Sequence, residues 1–303
     1  MVKIVCMTTH HDHDHDGGLA LDLPHLLSRR RMLGLGGAGV VALLAGCGDD
    51  AGTAAQASST PMPSATGGPG GPPPGGAFGG APGGAPGAAS NVTVGAGEIP
   101  EETAGPYPGD GSNGPDALTA SGIVRKDIRS SFGAASGTAG GVPLTIRLTV
   151  VQLDNGVSTP MPGAAVYLWH ADREGRYSMY SQGVTGENYL RGVQVADAQG
   201  VAEYTSIFPA CYDGRWPHVH FEIYADVATA TRAGGKIRTT QLAMPEDACK
   251  TVYATAGYEH SVTNLAKVSL SSDMVFSDGV TLQLAKVTGS VAGGYTAALT
   301  VPV

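Results

Sequence analysis

The stretch Ile207–Tyr224 reads I-F-P-A-C-Y-D-G-R-W-P-H-V-H-F-E-I-Y and holds two of the four histidines that follow His25. Val219, Phe221 and Ile223 alternate with His218, His220, Glu222 and Tyr224, the period-two pattern of a half-buried strand. On such a strand His218 and His220 project from one face, and two imidazoles aimed at one point suit a transition-metal site. Taken alone, the pair fits equally well a strand whose polar face meets solvent. The residues upstream favour the metal: Pro209, Asp213, Gly214 and Pro217 break regular structure, which puts Tyr212 and Arg215 on a loop folding back beside the histidine strand.

A second cluster, Val166–Tyr177, reads V-Y-L-W-H-A-D-R-E-G-R-Y, an apolar strand running into a polar, glycine-containing turn that delivers Tyr177. The pair W-H-A-D-R-E-G-R-Y and C-Y-D-G-R-W-P-H-V-H resembles the signature of the intradiol ring-cleavage dioxygenases. Between them Asn188–Gln194, N-Y-L-R-G-V-Q, is similar to that family's F-L-R-G-x-Q segment, and Glu102–Tyr107, E-T-A-G-P-Y, resembles its E-T-x-G-P-Y segment. The resemblance spans about 200 residues, a normal size for one domain.

The resemblance implies an oxidoreductase that uses O2 and a non-haem ferric ion, Fe(3+), to cleave a catechol-type diol to a cis,cis-muconate-type dicarboxylic acid. Its metal ligands map onto Tyr177, Tyr212, His218 and His220. Phenolate is a hard anion that favours the trivalent over the divalent ion, so the ligand types suit Fe(III) on their own chemistry. By the same resemblance Tyr212 is displaced when substrate binds and counts with Arg215 as catalytic, Arg215 stabilising negative charge on the substrate. Gln241, Pro106 and Tyr107 line the substrate pocket. His170 and Asp172 read as structural residues of their turn, and Glu222 as a solvated strand residue. Two other readings stay open: a cupin-like Fe(II) or Zn(II) enzyme combining His218, His220, a carboxylate and His260, and an exported module that binds aromatic compounds or iron without turnover. The first leaves Tyr177, Tyr212 and Arg215 without roles.

Around these motifs the pattern is mostly strand. Val142–Val151 alternates, Asp154-Asn155-Gly156 supplies a turn, and Ala164–Trp169 and Gly200–Ile207 follow as strands. A hairpin is predicted with Val280–Val287 against Tyr295–Val301. One helix signal stands out, Pro245-Glu246-Asp247 opening a run to about Ala256, with proline and acids in its first turn. The expected fold is an all-β, antiparallel β-sandwich with Greek-key-like connections and one or two short helices, over residues 99–303.

Residues 1–47 read as a signal region. The His/Asp alternation His10–Asp16 is given no functional role; Ser28–Leu33, S-R-R-R-M-L, and the apolar run after it resemble a twin-arginine export signal. Leu44-Ala45-Gly46-Cys47 resembles a lipobox, which implies acylation at Cys47 and a lipid-anchored, extracytoplasmic protein on the outer face of the bacterial cytoplasmic membrane. Residues 48–98, rich in Gly, Ala and Pro, bury too little apolar surface to fold and read as a tether. The formal charge of -8 excludes a nucleic-acid surface, which needs clustered Lys and Arg. The resemblances imply as partners a small-molecule catechol, O2 and the membrane through its anchor only, with a second copy of the chain if it forms a homo-oligomer. Cys211 and Cys249 remain as a pair in an exported domain, where a disulfide is expected chemistry.

Overall fold

The computed structural model describes residues 94–303, so the twin-arginine stretch, Cys47 and the tether up to residue 93 lie outside the described residues. Nine strands run in the order β1 (Pro143–Asp154), β2 (Val157–Pro160), β3 (Ala165–Trp169), β4 (Arg191–Val195), β5 (Val201–Ile207), β6 (His218–Tyr224), β7 (Arg238–Ala243), β8 (Lys286–Ser290) and β9 (Gly294–Pro302). One sheet has β1 at its centre, paired with β9 along one edge and with β5 and β2 along the other, and β8 outside β9. The second sheet is ordered β4-β3-β6-β7. All pairs are antiparallel except β1 with β9, which is parallel, so the two sheets form the mostly antiparallel sandwich expected. The turn between β1 and β2 is the Asn-Gly pair read from the sequence: Asn155 has φ 49 and Gly156 φ 80, the double positive φ of a two-residue hairpin turn.

Between the sheets lie Leu144, Ile146, Leu148 and Val150 of β1 opposite Val219, Phe221 and Ile223 of β6. The other face of β6 is covered as well, because the chain from about residue 104 to 132 crosses the second sheet and packs on Tyr167, Trp169 and Tyr224. All seven residues of β6 are therefore buried, where the alternation alone had suggested a half-buried strand. Glu222 in particular is fully buried rather than solvated: Tyr224 Oη donates to it at 2.6 Å, and Lys236 closes an ion pair with it. Burial pushes its carboxyl up, against the lowering effect of Lys236.

Three helical segments occur among the described residues: a single turn α1 (Val227–Ala230), α2 (Glu246–Tyr253) and α3 (Glu259–Leu265). The predicted run to Ala256 stops at Tyr253, and the chain turns at Gly257, φ 92, before α3 begins. Residues 280–285 do not join the last hairpin. Their backbone bonds to the end of β7 instead, with Ala243 N donating to Gln283 O and Ala285 N to Ala243 O, so β8 starts only at Lys286.

Candidate metal centre

Trp169, at the end of β3, lies opposite His220 in the register of the second sheet and stacks on its ring, centroids 5.0 Å apart and planes at 6°. Gly105, φ +69, runs so close that a Cβ there would come within 3.2 Å of His220 Cε1. The imidazole is thus packed by an indole and by a backbone turn. His218, two residues earlier on the same face, has Nδ1 2.5 Å from the Trp216 carbonyl. A carbonyl only accepts, so Nδ1 carries the proton and Nε2 presents its lone pair.

That Nε2 is the point of convergence. His220 Nε2 lies 3.0 Å from it, Tyr212 Oη 3.2 Å and Tyr177 Oη 3.4 Å. Donor atoms bound at about 2.0–2.2 Å to one ion stand roughly 3 to 3.5 Å apart, so the spacing fits a shared metal. Burial, reinforced by the Arg215 charge, pulls the His218 pKa down to about 3; burial and the neighbouring His218 hold His220 well below its ordinary value. Both rings are therefore neutral near pH 7, the form a metal needs. The residues brought together fit a two-histidine, two-phenol metal site. Among the described residues no three of His, Cys, Asp and Glu gather into a metal cluster, and His260 is exposed on α3. The cupin-like set therefore lacks its carboxylate.

Local structure explains how the two tyrosines arrive. Asp172 accepts from the backbone N–H of Glu174 and Arg176 and from Tyr189 Oη, which shapes the turn after β3 that carries Tyr177. Gly175, φ +85, lets this turn lie against Tyr212, since a Cβ would stand 3.1 Å from Tyr212 Cβ. The Tyr212 loop is fastened by α3: Cys211 N donates to Ser261 Oγ at 3.0 Å and Asn264 Nδ2 to the Cys211 carbonyl at 3.0 Å. Cys211 and Cys249 are both buried, Cys211 at the start of this loop and Cys249 on α2. Burial raises the Cys249 thiol pKa well above its usual value. His170, as expected, is a frame residue, its Nδ1 2.7 Å from the Ala171 carbonyl and Nε2 2.7 Å from Ser206 Oγ.

Arg215 is 1% exposed, so its charge is held inside the protein rather than at the surface. Its Nε donates to Asp273 Oδ2 at 3.0 Å and its Nη2 to Gln241 Oε1 at 2.7 Å, while Gln241 Nε2 donates to the Thr103 carbonyl at 2.9 Å. Gln241 sits opposite His220 on β7, so Arg215 is tied to the strand next to the histidines. Asp273 also accepts from the backbone N–H of Trp216, Val275 and Phe276. Its burial is outweighed by Arg215 and these bonds, so its pKa is lowered. Sequence reasoning missed Asp273. A buried guanidinium is usually paired, but nothing near residue 215 says that the carboxylate comes from 58 residues downstream. Tyr107 stacks on Tyr177 with centroids 4.7 Å apart, and the Pro106 carbonyl accepts from Asn113 Nδ2 at 2.7 Å.

Fold and site define a β-sandwich protein with a buried cluster of two tyrosines and two histidines. Residues 124–252, which contain all four, match the model of a family described as Dioxygenase. The matched segment is of the dioxygenase type, as the motifs indicated. A chlorocatechol 1,2-dioxygenase of Rhodococcus opacus is 36% identical over 55 residues, 18% of this chain and 21% of that protein, so the match spans about a fifth of the curated relative's length. Among solved structures, an intradiol ring-cleavage dioxygenase from Tetranychus urticae aligns with a TM-score of 0.49 at 23% identity, covering 59% of this chain and 86% of that one. A hydroxyquinol 1,2-dioxygenase from Pseudomonas putida DLL-E4 aligns with a TM-score of 0.42 at 16% identity, over 68% and 66% of the two chains.

Proposed function

We propose that the protein is a ferric-iron-dependent intradiol dioxygenase, inserting both atoms of O2 between the hydroxyl-bearing carbons of a catechol to give a cis,cis-muconate-type diacid. The observation that carries this reading is the convergence of Tyr177 Oη, Tyr212 Oη and His220 Nε2 within 3.4 Å of His218 Nε2. When bound, a ferric ion supplies Lewis acidity toward a chelated catechol and holds the two reactants together. His218 and His220 provide neutral donors, and Tyr177 a phenolate that stays in place. Tyr212, its Oη 3.2 Å from His218 Nε2, would be the donor that gives way to a catechol, and its phenol would then hold a proton from a substrate hydroxyl. The Arg215 guanidinium, preorganised by Asp273 and Gln241, stabilises negative charge growing on the ring. Trp169, Tyr107 and the Gly105 backbone exclude water from the His220 and Tyr177 side.

Oxygen uptake against a panel of catechols, with ultraviolet spectra of the products, tests the reaction. The expected result is one mole of O2 per mole of catechol and a muconate-type spectrum. Turnover with an extradiol product, or none with iron fully bound, would overturn it and in the second case leave the non-catalytic binding module. Tyr177→Phe keeps the ring but removes the phenolate, so the visible band of the ferric protein should shift and turnover collapse while the fold survives.

For location, we propose export by a twin-arginine route and acylation at Cys47, on the Leu44–Cys47 pattern. Stable attachment takes more than one acyl chain. Cys47→Ala should move the protein from the membrane to the soluble fraction; wild-type protein found wholly soluble would refute the anchor. No helix among the described residues is long and apolar enough to cross a membrane.

A further inference from the structure

Arg191 opens β4 and lies across β3 from Trp169, which in turn lies across from His220. Its side chain is 1% exposed. Each hydrogen-bond partner of the guanidinium is neutral. Nε donates to Ser178 Oγ at 3.1 Å and Nη2 to the Ser178 carbonyl at 2.9 Å; Nη1 donates to the Pro108 carbonyl at 2.9 Å and reaches Tyr167 Oη at 3.4 Å. The Tyr180 ring lies under its Cζ at 5.4 Å. Burying a cation without a carboxylate is costly, and a fold that needed only stability would place an apolar side chain here.

The partners show what the cation does. Ser178 follows Tyr177 directly, and Pro108 follows Tyr107, whose ring stacks on Tyr177. The two segments are otherwise joined by Gly109 N donating to Tyr180 Oη at 2.8 Å, and by Tyr180 Oη donating to Asn113 Oδ1 at 2.7 Å. Gly109 has φ +64, and a Cβ on it would stand 2.8 Å from Arg191 Nη1, so the backbone is glycine where the fork comes through. We infer that Arg191 is a positioning residue that locks the Tyr177 turn to the Pro106–Gly109 segment and so presets the Tyr177 phenol for metal. This rests on the proposed function only for the metal's identity. The fork geometry matters as well as the charge, because the guanidinium bonds Ser178 and Pro108 from different nitrogens held in one plane, which the single ammonium of lysine does not reproduce.

The test is Arg191→Lys, with Arg191→Gln as a charge-free companion. Hydrogen exchange in metal-free protein reads the lock without iron. The amides of Gly109, Met179, Tyr180 and Ser181 are expected to exchange at least tenfold faster in Arg191→Lys, with those of β1 and β9 unchanged. Equal rates at all sites, or a uniform rise across the domain, would overturn the lock, the second by showing a merely structural role. Ferric-ion titration then reads the site: residues that orient a ligand commonly cost 10–100-fold in metal affinity when replaced, and a loss in that range is expected in both variants. Wild-type affinity with local exchange raised would overturn the presetting of Tyr177. A wild-type protein that takes up no ferric ion would instead refute the proposed function, while the exchange result still decides the lock. If Arg191→Gln fails to fold, Gly109→Ala pushes on the same fork from the other side and should raise exchange at the same amides.

Discussion

Removing the Arg215 guanidinium and removing the Asp273 carboxylate break the same 3.0 Å contact but leave different groups behind. After Arg215→Ala, Asp273 still accepts from three backbone N–H groups, so its charge stays solvated by the fold. After Asp273→Ala, a buried guanidinium loses the carboxylate it is paired with, and removing one partner of a buried pair costs about 3–5 kcal/mol. Asp273→Ala should therefore lower the melting temperature more than Arg215→Ala, which calorimetry of the two variants decides. Arg215→Ala should in turn keep iron and colour but lose on the order of 100-fold to 1,000-fold in turnover. Equal melting temperatures would mean that the pair is not the anchor of Arg215, and turnover within a few-fold of wild type would remove Arg215 from the mechanism. The sequence made Arg215 legible through its motif and left Asp273 invisible, because a partner 58 residues away has no local signature.

Strand β6 was legible in type and register of faces but not in depth. Alternation places Val219, Phe221 and Ile223 on one side and the histidines on the other, and the structure keeps that division. What alternation cannot reveal is a covering segment from elsewhere in the chain, which here buries the histidine side under residues 104–132 and turns Glu222 from a surface residue into the buried member of an ion pair with the partly exposed Lys236. The same blindness to long-range pairing explains β8, whose expected first half bonds to β7. Since Phe221 is fully buried in the core between the sheets, Phe221→Ala should cost about 3–5 kcal/mol, the range for large-to-small core changes. Urea unfolding of metal-free protein measures it. A cost below about 1 kcal/mol, the scale of a surface substitution, would mean that the inner face of β6 is not packed as described.

Across the whole molecule, acid is the condition that should expose the buried histidines. His170, 2% exposed, has its pKa pulled down to about 4 because burial penalises the imidazolium, and the Ala171 carbonyl raises it only in part. On unfolding it returns to about 6.5. Between pH 6.5 and about 4 the unfolded chain binds a proton that the native fold does not, so stability rises with pH in this window. The contribution is complete above pH 6.5 and disappears as the pH falls, by on the order of 3 kcal/mol across the window. Glu222, with a raised pKa, acts in the opposite sense, so the total slope mixes several groups. Comparing wild type with His170→Gln separates them. Both proteins, metal-free so that His218 and His220 titrate alike, are unfolded by urea at several pH values from 7.5 to 4.5. The wild type should lose stability more steeply below pH 6.5, by about one proton's worth of slope, roughly 1.4 kcal/mol per pH unit. Parallel curves would show that His170 is protonated equally in both states, which its burial between Ala171 and Ser206 does not allow.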